Sequence, residues 1–234
     1  MTETKSKRSG YLLILIDFLI PIFLLLILSY VFISTDLDLV ISSLFFDNGF
    51  NKEAAPWIYF YNYGMIPLWV SLIISLFYFI KSFICTNYRR YRKTSLFVIL
   101  FIALGPGLIV NVILKENTGR PRPVQCSVFK GNYEFKNVLT AWQINTDNKS
   151  FPSGHASGAF SMIFPYFLFR RKNNKLAYLL LAGGTLYGTI VGIARIAQGG
   201  HFASDVIWSF GIVYLVGLAL YYSMKLYDNK RPCQ

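Results

Sequence analysis

The chain holds only two histidines in 234 residues, and both stand among Gly and Ser. His201 lies in "ARIAQGGHFASD" (194–205), four residues before Asp205. If His201 opens a helix, the two share a face and the carboxylate accepts the second imidazole N–H. That fixes the tautomer and leaves the other nitrogen as nucleophile or base. Asp205 begins an apolar run, where a carboxylate is costly unless it has a partner or a function. Gly199 and Gly200 point to a close backbone approach just before it.

His155 ends "PSGH" (152–155), which reads as a helix start. Ser153 suits the N-cap, Gly154 lets backbone approach a ligand, and a helix N-terminus attracts anions. The same four letters also fit a plain capping turn with His155 as an interfacial polar residue. A third stretch, "KENTGRPRP" (115–123), ends an apolar run with Lys115 and sets Arg122 between two prolines. An aimed guanidinium beside an ammonium suits phosphate oxygens, although a lone Lys at a helix end also snorkels. Arg195 closes another nearly uncharged run.

Each stretch alone is weak, but together they describe phosphoryl transfer. His201 is expected to attack phosphorus and His155 to protonate the leaving oxygen. Lys115, Arg122 and Arg195 then neutralise the phosphoryl oxygens, with the helix N-terminus at "PSGH" converging on the same place. No Asp/Glu/His/Cys cluster has metal-ligand spacing, so neither a metal nor another cofactor is expected.

These residues need elements to hold them at one depth. The chain is 54% hydrophobic and 15% charged, against about 25% charged in soluble domains. Six apolar runs, 11–33, 57–84, 95–114, 155–169, 176–194 and 203–224, fit membrane spans, the fourth being short. The first lacks a small-residue cleavage site and reads as an uncleaved helix. The expectation is an all-α, six-helix membrane bundle forming one domain over 1–234, with a long outer loop (116–151) between the third and fourth spans. The net charge of +12 arises mostly in clusters between spans: Lys5, Lys7 and Arg8; Lys81 and 89–93; 170–175; Lys225, Lys230 and Arg231. The positive-inside rule puts these ends, and both termini, in the cytoplasm. Lys52, Lys115, Arg120, Arg122, Lys130, Lys136, Lys149, Arg195 and both histidines then fall on the outer side. No basic face with interleaved aromatics suggests nucleic acid, and no obligate protein partner is evident; the expected partners are the bilayer and a lipid substrate within it. Cys85 and Cys233 fall inside and Cys126 outside, so no disulfide crosses between the two sides.

Lys-x6-Arg-Pro (Lys115, Arg122, Pro123), Pro-Ser-Gly-His (152–155) and Arg-x5-His-x3-Asp (Arg195, His201, Asp205) resemble, in order, the three signature motifs of the type 2 phosphatidic acid phosphatase superfamily. The resemblance implies a metal-independent six-helix phosphatase acting through a phosphohistidine, with the soluble vanadium haloperoxidases as relatives. It gives His201 as nucleophile, Asp205 as its partner and His155 as acid, with Lys115, Arg122, Ser153, Gly154 and Arg195 around the phosphate. Ala194 stands where the third motif usually has Ser. Within the superfamily, 105–124 and 195–206 are most similar to bacterial lipid A phosphatases that remove the 1- or 4′-phosphate at the periplasmic face of the inner membrane. Undecaprenyl diphosphate and phosphatidylglycerophosphate phosphatases share the motifs.

Asp17, inside the first span, reads as structural. Gly105-Pro106-Gly107 reads as a kink or close-packing point. Asn111 either orients Lys115 or bonds a neighbouring helix. Arg120 reads either as a contact to a second phosphate or a sugar, or as a headgroup contact. Trp57 and Trp142 fit interfacial anchors. A non-enzymatic carrier of phosphorylated lipid is the rival class; it needs no His/His/Asp set, and no inverted repeat is visible. Phosphotransfer to another lipid through the same intermediate stays open.

Overall fold

A computed structural model describes residues 2–142 and 148–228. Lys230, Arg231 and Cys233 lie outside the described residues, as do the side chains of Lys5, Lys7 and Arg8. Among the described residues there is no strand, only helices and two isolated bridges. Five helical stretches are long and apolar enough to span a bilayer: Ile14–Ser34, Trp57–Ile84, Thr86–Asn117, Asn174–Ala197 and Ala203–Ser223.

Helix α1 (Thr2–Ser34) exposes Leu19, Phe23 and Tyr30, as a helix apolar on all sides does in lipid. Its Asp17 accepts hydrogen bonds from Arg170 Nη2 at 2.6 Å and from the Tyr222 hydroxyl, the structural pairing expected of it. A short α2 (Leu37–Ser43) follows at the outer end. The second apolar run divides into α3 (Trp57–Tyr63) and α4 (Ile66–Ile84). Pro67 has no N–H to offer the carbonyl of Tyr63, so the ladder breaks there. The Tyr187 hydroxyl donates to the carbonyl of Gly64 at the break, at 2.9 Å.

The third span begins as α5 (Arg92–Ile102), widens into a π-helix over Ala103–Leu114 and ends in the single turn α6 (Lys115–Asn117). Gly105-Pro106-Gly107 therefore marks a change of helix type. A Cβ on Gly105 would meet its nearest neighbour, Val216, at an ordinary 3.8 Å, whereas one on Gly107 would lie a tight 3.3 Å from the Ile102 carbonyl of the same helix, so the tight approach is within the helix and not to a neighbour. Asn111 Nδ2 donates to the carbonyl of Pro106 at 2.7 Å. The hydrogen bond of the Asn111 side chain is thus within its own helix, to neither Lys115 nor a neighbouring helix, although its Oδ1 packs against Gly154.

The expected fourth span is not one helix. It consists of α7 (Gly154–Phe160), a 3₁₀ turn (Ser161–Ile163) and α8 (Phe164–Phe169). Pro165 cannot donate to Ser161, which explains the break. At helical rise the piece is about 24 Å long, less than a hydrocarbon core of about 30 Å. It sits in the core of the bundle, with Phe160, Ile163, Tyr166 and Phe167 buried. Helix α9 (Asn174–Ala197), capped by the Asn173 side chain, packs along it so closely that a Cβ on Gly184 would lie 2.8 Å from Ile163 N. Helix α10 (Ala203–Ser223) completes the core through Val213, Leu218 and Tyr221. Outside the bundle, Cys126, Phe129 and Phe202 cluster with Phe46, Phe50 and Phe135. This second apolar nucleus folds the long outer loop onto the segment after α2 and the start of α10.

Candidate active site

His201 lies just before α10, whose first residue is Ala203, and is 2% exposed. Its Nδ1 is 2.6 Å from the carbonyl oxygen of Ser150. A carbonyl only accepts, so Nδ1 carries the proton and Nε2 is the bare nitrogen. Asp205 Oδ2 stands 3.7 Å from the same Nδ1, beyond hydrogen-bond range. The direct carboxylate–imidazole hydrogen bond expected from the four-residue spacing is therefore replaced by one to a backbone carbonyl. Asp205 acts on the ring by charge and through Ser150, whose hydroxyl donates to Asp205 Oδ2 at 2.6 Å. The same oxygen accepts the Phe202 N–H at 2.9 Å and so caps α10. Burial pushes the His201 pKa down to about 4. The Asp205 carboxylate opposes the shift, and the charges of Arg195 and Lys115 add to it. The imidazole is thus neutral at physiological pH.

The other carboxylate oxygen, Asp205 Oδ1, accepts from Arg120 Nη1 at 2.5 Å. Arg120 has no exposed surface. Its Nη2 donates to Asp38 Oδ2 at 2.6 Å, its Nε to the Lys136 carbonyl at 2.9 Å, and its Nη1 also to Ser204 Oγ at 2.8 Å. Asp38 in turn accepts from Ser204 N and Ser204 Oγ. Both expectations for Arg120 are overturned: it meets neither a second phosphate, a sugar nor a headgroup, because it is wholly enclosed. Its cation offsets two carboxylates that have side-chain exposures of 3% and 0%.

Lys115, Arg122 and Arg195 come from three segments and lie close enough to repel one another. Burial, and after it the charges of Arg195, His201 and Lys115, pushes the His155 pKa down to about 4 as well. The expected cations and both histidines are therefore brought to one place. Arg122 and Arg195 line a cavity of about 310 Å³ with Tyr61, Lys52, Glu53 and Gly200. Arg195 Nη1 donates to Gln198 Oε1 at 2.5 Å, and Gln198 Nε2 to the Lys52 carbonyl at 2.8 Å. Arg195 Nε is buried with no partner among the described residues. The guanidinium packs on Gly200, where a Cβ would stand 2.3 Å from Nη2. Gly199, at φ +65°, makes the left-handed turn between α9 and His201.

Ser153 is the N-cap of α7, its hydroxyl accepting from Ala156 N at 3.4 Å. It is fully buried, and its N–H and carbonyl are both bonded to Ser209 Oγ. At Gly154 the close neighbour is a side chain: a Cβ there would fall 2.4 Å from Asn111 Oδ1. Cys126 is free and buried. No group of three or more His, Cys, Asp or Glu among the described residues is placed to hold a metal ion. Sequence reasoning missed Asp38, Ser150, Tyr61 and Gln198. Of these, Ser150, two residues before "PSGH", and Gln198, inside Arg-x5-His-x3-Asp, lay near a recognisable motif.

Fold and site together define an integral-membrane phosphatase. A profile of the PAP2 superfamily matches residues 94–228, and the chain belongs to that superfamily. It is 36% identical over 167 residues to a lipid A 4′-phosphatase of Francisella tularensis subsp. novicida (strain U112), a match covering 69% of this chain and 73% of the relative. It is 34% identical to a lipid A 4′-phosphatase of Rhizobium leguminosarum over 50% of each chain. A third relative, phosphatidylglycerophosphatase B of Bacillus subtilis (strain 168), is 31% identical over 60% of this chain and 62% of its own length. Among solved structures, the crystal structure of a transmembrane PAP2-type phosphatidylglycerolphosphate phosphatase from Bacillus subtilis superposes with a TM-score of 0.53. At 23% identity, covering 93% of this chain and 98% of that one, it shows the shared fold.

Proposed function

We propose that this protein removes a phosphate from a membrane lipid at the outer face of a bacterial inner membrane, through a phosphohistidine and without a metal. The observation that carries the reading is the buried His201 ring, its Nδ1 bonded to the Ser150 carbonyl so that Nε2 is left as the reacting nitrogen, with Arg195 and Lys115 close enough to act on it. In this mechanism Nε2 attacks phosphorus while the P–O bond to the lipid breaks. His155, whose imidazolium the bound phosphate dianion favours against the depression by burial and the neighbouring cations, gives its proton to the departing oxygen. It then takes a proton from water, and the resulting hydroxide displaces His201 to release inorganic phosphate. Lys115, Arg122 and Arg195 hold the phosphoryl oxygens throughout, and the unpartnered Nε of Arg195 is a donor available for them.

The substrate proposed is lipid A, at the 4′-phosphate in preference to the 1-phosphate. Support comes from the names of the Francisella and Rhizobium relatives. Phosphatidylglycerophosphate is the second reading, supported by the Bacillus relative. The asymmetry of Lys and Arg supports both termini and the Arg89–Lys93 corner in the cytoplasm, and with them a site on the periplasmic side. Mass spectrometry of lipid A from cells with and without the gene tests the substrate. Gain of one phosphate in the deletion, at the 4′ position, is expected. An unchanged lipid A profile with accumulated phosphatidylglycerophosphate favours the second reading.

A further inference from the structure

The three motifs leave one contact of the site unexplained. His155 makes no hydrogen bond through its ring to any described residue. What fixes the plane of its imidazole is an aromatic ring from a different part of the chain. Tyr61, on α3, stacks on His155 with centroids 4.8 Å apart and planes inclined by 28°. The Arg195 guanidinium lies over the same phenol ring at 4.5 Å. One side chain therefore touches both a histidine and a cation of the cradle, and lines the cavity that Arg195 and Arg122 also line.

The platform under Tyr61 is firm. Helix α3 is held at its end by the hydrogen bond from Tyr187 to the Gly64 carbonyl. Gly64 approaches α9 so closely that a Cβ would lie 2.9 Å from Val191. Helix α9 also carries Arg195, so the ring and the cation share a scaffold. An aromatic face attracts a cation as well as a neutral ring. The stack therefore persists when His155 gains or loses its proton during turnover.

We propose that Tyr61 is a positioning residue for this reaction: its ring orients the His155 imidazole towards the leaving group and steadies Arg195 beside it. The proposal rests on the reading of His155 as the general acid, and it assigns a role to the aromatic face, not the hydroxyl. A group held only by stacking loses its aim when the ring is removed. The loss falls on the step that needs the proton.

The test uses the purified full-length protein in detergent, with a long-chain alkyl phosphate and a nitrophenyl phosphate as paired substrates. The alkoxide needs a proton to depart and the nitrophenolate does not. General-acid help is worth about 10²–10⁴-fold, so His155→Ala is expected to depress the alkyl rate by that much more than the aryl rate. Tyr61→Leu and Tyr61→Met should each depress the alkyl rate about tenfold more than the aryl rate. Tyr61→Phe and Tyr61→Trp, which keep the ring face, should retain the wild-type ratio. Tyr61 is 36% exposed, so its replacement removes little core. Equal losses on both substrates in the Leu and Met variants, while His155→Ala separates them, overturn the role of Tyr61 alone. A Phe variant behaving like Leu assigns the effect to the hydroxyl and also overturns it. Failure of His155→Ala to separate the substrates removes the general acid, and the proposal falls with it.

Discussion

Arg120 offers the sharpest physical test because its surroundings are fully specified. Replacing it with Met keeps most of the side-chain length but removes the cation. Asp38 and Asp205 would then remain at 3% and 0% side-chain exposure with no positive partner. The variant also loses charged hydrogen bonds of 2.5 and 2.6 Å and two neutral ones, to Lys136 O and Ser204 Oγ. Removing one partner of a buried ion pair costs about 3–5 kcal/mol, mostly as the penalty of the stranded charge. For a chain of this size that corresponds to a fall in Tm of about 6–20 °C. The assay is thermal unfolding of the detergent-solubilised protein. Asp38→Leu in the Arg120→Met background should restore part of the loss, because it removes one stranded carboxylate. The coupling expected between such neighbours is about 1–3 kcal/mol. A Tm for Arg120→Met within about 3 °C of wild type would refute the account of Arg120 as a counter-ion. So would strictly additive losses in the double variant.

Other outcomes follow from the site. With only two histidines, ¹⁵N-histidine NMR should resolve His201 as a neutral ring protonated on Nδ1 down to about pH 5; an imidazolium at pH 5.5 would contradict the depression of its pKa by burial. Its folded pKa of about 4 lies below the unfolded value of about 6.5, so the stabilisation from a neutral ring is complete above pH 6.5 and is lost as pH falls from 6.5 towards 4. His201→Ala should abolish ³²P-phosphoenzyme trapped by rapid quench, and a surviving labelled band would move the nucleophile elsewhere. Excess EDTA should leave turnover unchanged; loss of activity restored by one divalent ion would sink the metal-independent mechanism. In a cysteine-free background, Asn132→Cys should react with an impermeant maleimide from the periplasmic side, and labelling only after the inner membrane is opened would reverse the topology.

The spans were legible because lipid imposes a length and a composition that few soluble segments satisfy. The clustering of the two histidines with the cations was legible because chemistry restricts residue type and spacing. What escaped was set by tertiary contact. Asp38 sits in a seven-residue helix in a loop, and nothing local distinguishes it from a solvated acid. Tyr61 is one of 16 tyrosines. The acceptor for His201 is the carbonyl of Ser150, and a backbone group leaves no trace in residue type. The break in the fourth span did have a signal: Pro165 sits where a continuous helix would need an N–H. A length criterion alone reads across it.

The case of Arg120 and Arg122 shows how little separates a structural arginine from a functional one. They are two residues apart and each precedes a proline. A proline disfavours the helical conformation in the residue before it and biases it to extended or polyproline II geometry. Arg122 has φ −76° and ψ 157°, which is polyproline II. That helix has three residues per turn, so positions two apart point about 120° away from each other. In a flat strand the period is two, and both guanidinium groups would face the same side. The prolines thus divide two identical side chains between opposite tasks. Arg120 turns inward to the carboxylates of Asp38 and Asp205, while Arg122 turns to the cavity. The spacing "RPRP" holds the information, but it becomes readable only through the backbone conformation that the prolines impose.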